Sequence, residues 1–287
     1  MSVRIITDSA CDMALSEAAR SHVEILPLRT IFEDGEYRDG IDLNQQQFFE
    51  KLIETGEIPS TCQVSPAEYQ EKFEAALDEG DQVLCLTLSG GLSGCYQSAL
   101  LAYAMLDEQR KEHVFIVDSR NVTVGQLLLV RRAIELRDQG LSAAEIAQVI
   151  EAEKDHVRVI ALLDTLEYLK KGGRISSAVA LAGQLLSVKP VVEVADGHVE
   201  LVGKARGSKN GNNLLTQFVE KHGIDFERPF SVAYSGLSDK LLSKYLNDSR
   251  HLYAQWQGDV PVCVIGSVIG THVGPGAIAV AFFSSKN

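Results

Sequence analysis

Gln82-Val83-Leu84-Cys85-Leu86-Thr87-Leu88-Ser89-Gly90-Gly91-Leu92-Ser93-Gly94-Cys95-Tyr96-Gln97-Ser98 is the stretch of this chain that says most about how it folds. Its first seven residues are an apolar run of strand length. From Ser98 to Leu106 apolar residues recur at helical spacing, so Gly90 to Gly94 read as a strand-to-helix turn. A turn of this kind aims free backbone N–H groups and the positive end of a helix at whatever sits above it. Ser93 lies at the mouth of that helix, where its hydroxyl can either cap the helix or be offered to a ligand. Gly91 and Gly94 would let a ligand come close to the backbone. A second hydroxyl-bearing turn, Pro59-Ser60-Thr61-Cys62-Gln63-Val64-Ser65-Pro66, reads as the other half of one small anion site.

Working outward, short β-branched or apolar runs at residues 3–7, 23–28 and 113–117 alternate with helical patterns at 44–54, 66–77, 98–110 and 124–139. The alternation predicts a parallel, helix-covered sheet. Two of its strands end in Asp-Ser, Asp8-Ser9 with Asp12 nearby and Asp118-Ser119. Open parallel sheets bind ligands at the carboxyl ends of their strands, and Asp and Ser also cap turns, so both uses are open. After a helix at 142–154 the texture changes. Strands are expected at 157–163, 191–194, 199–202, 230–234, 262–267 and 277–283, with Asp196-Gly197 as a hairpin turn. The expected fold class is α/β in two domains: an N-terminal parallel-sheet α/β/α domain over residues 1–156 and a C-terminal α+β domain with a mixed sheet over 157–287.

Composition narrows the function. Among 287 residues, 39 acidic side chains against 27 basic ones give a formal net charge of −12, with no long Lys/Arg run to neutralise a row of phosphates. Nucleic acid is therefore not expected as a partner. Cys11, Cys62, Cys85, Cys95 and Cys263 are odd in number and contain no CxxC pair, as for reduced thiols in the cytoplasm, and suggest neither a zinc nor an iron–sulfur site. The N-terminus runs straight into a strand pattern, and no stretch of 18 uninterrupted apolar residues occurs, so neither a signal peptide nor a membrane span is expected.

Three further clusters carry donors among glycines: Leu169-Lys170-Lys171-Gly172-Gly173-Arg174-Ile175-Ser176, Gly203-Lys204-Ala205-Arg206-Gly207-Ser208-Lys209, and Ile269-Gly270-Thr271-His272-Val273-Gly274-Pro275-Gly276. Arg174 and Arg206 can grip an oxyanion or stay solvated. His272 is expected to project from an irregular turn, as a ligand donor or in a structural hydrogen bond. Ser93 invites a hydrolase or acyltransferase reading, but Gly91-Leu92-Ser93-Gly94-Cys95 lacks the second glycine of a G-x-S-x-G turn. A nucleotide-binding enzyme is disfavoured because no G-x-x-x-x-G-K-[ST] sequence is present.

Asp8-Ser9 with Asp12, Thr61-Cys62-Gln63 followed by Ser65-Pro66, Gly91-Leu92-Ser93-Gly94 with Tyr96-Gln97-Ser98-Ala99, Gly172-Gly173-Arg174-Ile175-Ser176 and the 269–276 cluster follow one another as in the DegV family, which the chain resembles over nearly its whole length. The resemblance implies two α/β domains with a ligand between them. It implies a non-catalytic carrier that binds a long-chain fatty acid and presents its carboxylate to a separate fatty acid kinase subunit, which makes the acyl phosphate. It further implies that Thr61 and Ser93 hydrogen-bond the carboxylate, that Gly94 allows close backbone approach, and that His272 and Arg206 line the carboxylate end. Arg174 would serve there or in docking the kinase. No cofactor and no metal is implied, and membrane contact would be at most transient. Departures from the usual pattern at Cys62, Val64, Gly90 and Cys95 remove no proposed donor but would alter the shape of the pocket. Apolar residues from Ile25 to Phe32, from Val179 to Leu186 and after Asp8 are candidates for the acyl tunnel or for ordinary core.

Overall fold

The computed structural model describes residues 2–175 and 188–286. Ser176 and the tunnel candidates at 179–186 lie outside the described residues. Four strands, β1 (Val3–Asp8), β2 (Val23–Leu26), β6 (Gln82–Thr87) and β7 (Val114–Asp118), form an all-parallel sheet in the order β2-β1-β6-β7. Ile5, Ile6 and residues Val83 to Leu86 are fully buried, as a parallel sheet covered on both faces requires.

A six-stranded mixed sheet follows, built from β8 (Val157–Leu162), β9 (Val188–Ala195), β10 (His198–Arg206), β11 (Phe230–Tyr234), β12 (Val262–Val264) and β13 (Ile278–Phe283) in the order β10-β9-β8-β13-β11-β12. All its pairings are antiparallel except β11 with β12. Asp196 and Gly197 turn the β9–β10 hairpin with φ of 48° and 76°, the left-handed pair that a two-residue hairpin needs. The Val124–Asp138 helix packs against strands of both sheets. Its residues from Val124 to Val130 are buried all round, Gln126 donating to Thr7 and Asp8, and the largest apolar cluster draws on both sheets, so the two share a core.

A third sheet was not expected: β3 (Arg29–Phe32), β4 (Gly35–Arg38) and β5 (Ser60–Cys62), antiparallel in the order β4-β3-β5. Thr61 therefore lies on a strand, opposite Thr30, rather than in a turn. The helix expected over 98–110 ends at Met105, and Asp107 starts a new one by accepting from the Arg110 N–H at 2.9 Å. The strand expected over 262–267 stops at Val264. A short helix, Ser267–Val273, follows, so His272 projects from a helix and not from an irregular turn.

Candidate functional site

Between the six-stranded sheet and the loops at the carboxyl ends of the parallel strands lies a slot of about 810 Å³, counted as all space not occupied by atoms, including space open to solvent at its mouth. It follows from alternation along the strands. Val159, Ala161 and Leu163 on β8 and its end, Val192 and Val194 on β9, and Ala277 and Ala279 along β13 face the slot. Their neighbours Ile160, Leu162, Val191, Ile278 and Val280 point the other way and pack a separate core. Register sets Ala279 opposite Ala161, so methyl groups meet where larger side chains would close the space. Replacing Ala279 with leucine is expected to fill part of the slot and lower uptake of an apolar chain at least tenfold while leaving thermal stability unchanged or higher. Paired ligand titration and thermal melts check this.

Thr61, Ser93, Thr123, Arg174 and His272 are the polar residues lining the slot among the described residues. Thr123 is occupied elsewhere, its hydroxyl donating to Asp12 at 2.5 Å. The other four gather at one end. Thr61 Oγ1 and His272 Nε2 are 3.0 Å apart. Arg174 donates through Nε to the Leu92 carbonyl at 3.0 Å and through Nη1 to the Gly172 carbonyl at 2.6 Å, which ties it to the residue before Ser93. Ser93 Oγ lies 3.4 Å from both the N–H and the sulfur of Cys95. All four are half-exposed, so the slot opens to the surface at its polar end.

Burial, reinforced by the charge of Arg174, pushes His272 down to about 4, and the imidazole is neutral at physiological pH. Its Nδ1 is buried without a partner. An orphaned acceptor is tolerated better than an orphaned N–H, which favours the tautomer with hydrogen on Nε2. In that tautomer Nε2–H donates to Thr61 Oγ1 and leaves the Thr61 hydroxyl hydrogen free for a ligand oxygen. The Gly94–Cys95 helix start adds N–H groups that lack an acceptor within the helix. The end is thus a set of donors with one fixed positive charge, suited to an anion. Because His272 stays neutral, anion affinity is expected to be flat within about twofold from pH 6 to 8. A site relying on an imidazolium of ordinary pKa would lose roughly twentyfold over that range.

Buried acids hold these pieces in place. Asp8 accepts from the N–H groups of Leu88 and Ala10 at 2.7 and 3.2 Å, and burial raises it to about 6. Asp12 accepts from the Gly266 N–H at 2.8 Å, and Asp39 from the N–H and hydroxyl of Ser267 at 3.0 and 2.7 Å, which anchors the helix carrying His272. Asp8 thus caps the turn that follows it, whereas Asp12 ties that turn to Gly266 and Thr123. Gly94 faces Gln63: a Cβ there would strike the Gln63 amide, whose Nε2 donates to Ser98 Oγ at 2.8 Å. That glycine lets the two hydroxyl-bearing segments pack together, a role for Gln63 that no single-residue signal disclosed. Of the tunnel candidates at 25–32, Leu28 lines the slot, whereas Phe32 packs with Phe48 in an aromatic cluster. Arg206 is not brought to the other four. It is exposed, at the last position of edge strand β10, toward the same end of the sheet as Leu163 but outside the slot.

The DegV family model, described as that of an uncharacterised protein, matches residues 2–285. The chain belongs to the DegV family. A DegV domain-containing protein of Deinococcus radiodurans is 37% identical over 286 residues, covering 98% of each chain. Among solved structures, the fatty-acid-binding DegV family protein of Thermus thermophilus is 31% identical, covers 99% of this chain and 100% of its own, and superimposes with a TM-score of 0.87. A stearic acid-binding protein of Eubacterium ventriosum is 26% identical, covering 98% and 97%, with a TM-score of 0.85. The N-terminal parallel sheet and C-terminal mixed sheet of this DegV chain are the fold of those relatives.

Proposed function

We propose that this DegV-family protein is a non-catalytic carrier that binds a long-chain fatty acid in the slot and presents its carboxylate to a separate fatty acid kinase subunit. The observation that carries the reading is an apolar slot ending in a half-exposed cluster of Thr61, Ser93, Arg174 and His272. Burying an acyl chain contributes about 0.8 kcal/mol per methylene, on the order of 10 kcal/mol for a long chain before ordering and association costs. The carboxylate would take hydrogen bonds from Thr61 and Ser93, with Arg174 supplying charge beside them. Arg206, exposed on the edge strand, is assigned to the surface that meets the partner rather than to the ligand. The fatty acids held by the Thermus and Eubacterium relatives support the same use of this fold. No helix among the described residues is long and apolar enough to cross a membrane. We place the carrier in the cytoplasm, with at most transient membrane contact for loading.

The hydrolase alternative has less behind it. His272 spends Nε2 on Thr61, and its Nδ1 has no acid to orient it, so Ser93 has no base assigned by hydrogen bonding. The test is reconstitution. Loaded protein, ATP, Mg²⁺ and a bacterial fatty acid kinase subunit are expected to yield acyl phosphate, and the loaded protein with ATP and Mg²⁺ alone to yield none. Acyl phosphate from this chain alone would overturn the carrier assignment.

A further inference from the structure

The tip of the β9–β10 hairpin sits on the loop that carries Ser93, and the fit is close on both sides. Ser89 is fully buried, and its hydroxyl donates to the Gly197 carbonyl at 2.7 Å. The same oxygen accepts the Gly91 N–H at 3.2 Å, while the Ser89 carbonyl accepts the N–H groups of Leu92 and Ser93, each at 3.0 Å. Ser89 is therefore the hinge pin of the loop. One side of it fixes the Ser93 backbone and the other reads the position of the hairpin. A Cβ on Gly91 would fall 2.7 Å from the Gly197 carbonyl oxygen, and one on Gly197 would fall 2.7 Å from Ser89 Oγ, so the tip and the loop pack too closely to admit a side chain at either position. Arg120 closes the joint from outside. It pairs with Asp196 at 2.9 Å and Asp155 at 3.0 Å, and its own N–H shares Asp118 Oδ1 with the N–H of Gly90.

The two residues that flank this tip on the slot side are Val194 and Val199, a cross-strand pair that lines the slot. The hairpin thus touches whatever fills the apolar slot and, three residues away, touches the loop that places Ser93. We propose that the Asp196–Gly197 tip, acting through Ser89, is a positioning device that couples filling of the slot by an apolar chain to placement of the Ser93 hydroxyl at the polar end. Ser89 itself meets no ligand; it is a positioning residue. The inference rests on the lipid-binding reading above and adds a route between the two ends of the ligand, with a defined element whose position both ends bias.

The test uses the whole protein with palmitate as the probe. Ser89→Ala is expected to weaken palmitate retention about fivefold, since it removes the hydroxyl that donates to the Gly197 carbonyl and accepts the Gly91 N–H. In a Ser93→Ala background the same change is expected to have almost no effect, because Ser89 acts only through Ser93. Equal losses in both backgrounds, or no loss in either, would overturn the coupling, since a purely structural contribution adds independently. A second measurement needs no variant. Hydrogen exchange on the unmodified protein is expected to show that palmitate loading slows exchange at Gly197 and His198 together with Leu92 and Ser93. Protection at 92–93 without any at 197–198 contradicts the proposal. An unmodified protein that takes up no palmitate at all overturns the lipid-binding reading, and the coupling with it.

Discussion

Thr61→Ala and Ser93→Ala are each expected to leave a folded protein that holds fatty acid about 10- to 100-fold more weakly, because in the binding mode we propose each would remove a hydrogen bond to a charged group worth about 1.5–3 kcal/mol. Neither change should disturb the core, since both side chains stand at the half-exposed end of the slot and neither belongs to an apolar cluster. Thr61→Ala is expected to be the costlier. It also strips His272 Nε2 of its partner at 3.0 Å, leaving an imidazole with neither nitrogen satisfied. The double variant should bind more weakly than either single one. Titration with one fatty acid at one pH, beside a thermal melt of each variant, separates lost affinity from lost fold. Unchanged affinity in both single variants would place the carboxylate elsewhere.

Gly274→Ala is expected to be the most destabilising single change near the site, at about 3–5 kcal/mol. Gly274 has φ 69° and ψ −178°, a region essentially closed to residues with a side chain and costing about 1–3 kcal/mol. A Cβ there would also enter the ring of Tyr168, and overpacking adds about 1–3 kcal/mol. Tyr168 lies on the Glu167–Lys171 helix that leads into Arg174, so the strain reaches the polar end of the slot. Gly56→Ala is the matched control. Its φ of 66° is also left-handed, but nothing lies within 4 Å of a Cβ there, and about 1 kcal/mol is expected. Urea unfolding of the two variants, read at constant slope, gives the difference directly.

Much of this was legible in the chain. Residues 82–87 and 230–234 are apolar runs bounded by turn residues, and β6 and β11 occupy those positions. Asp196-Gly197 announced its hairpin because few dipeptides adopt two left-handed residues in succession. The β4-β3-β5 sheet was hidden for physical reasons. Its strands are three or four residues long, Arg29-Thr30-Ile31-Phe32 and Gly35-Glu36-Tyr37-Arg38 mix charge with apolar groups, and Pro27 interrupts the apolar run that β2 begins. Tertiary packing under Phe48 and Phe49, not local pattern, stabilises that corner.

The site was legible to a different degree. Thr61 and His272 are separated by 211 positions, and no spacing rule brings them within hydrogen-bonding distance. The family resemblance, carried by five motifs in order, implied only that both belong near one end of the ligand; the direct contact between them was not foreseen. What single-chain reading missed were residues acting on others: Gln63 against Gly94, Gly172 packed under the His272 ring, and the buried Asp39 that anchors the His272 helix. Such roles exist only once the chain has folded. The slot itself was equally hidden, because the alanines that leave it open read as ordinary core positions in a strand.

Whether this protein carries a fatty acid is decided by native mass spectrometry of the purified protein, followed by denaturing extraction and lipid analysis. One long-chain fatty acid per protein molecule is the predicted result, either carried through purification or taken up on addition. A protein that arrives empty and stays empty when offered saturated and unsaturated fatty acids would contradict it, leaving the DegV fold in place and the lipid-carrier function wrong.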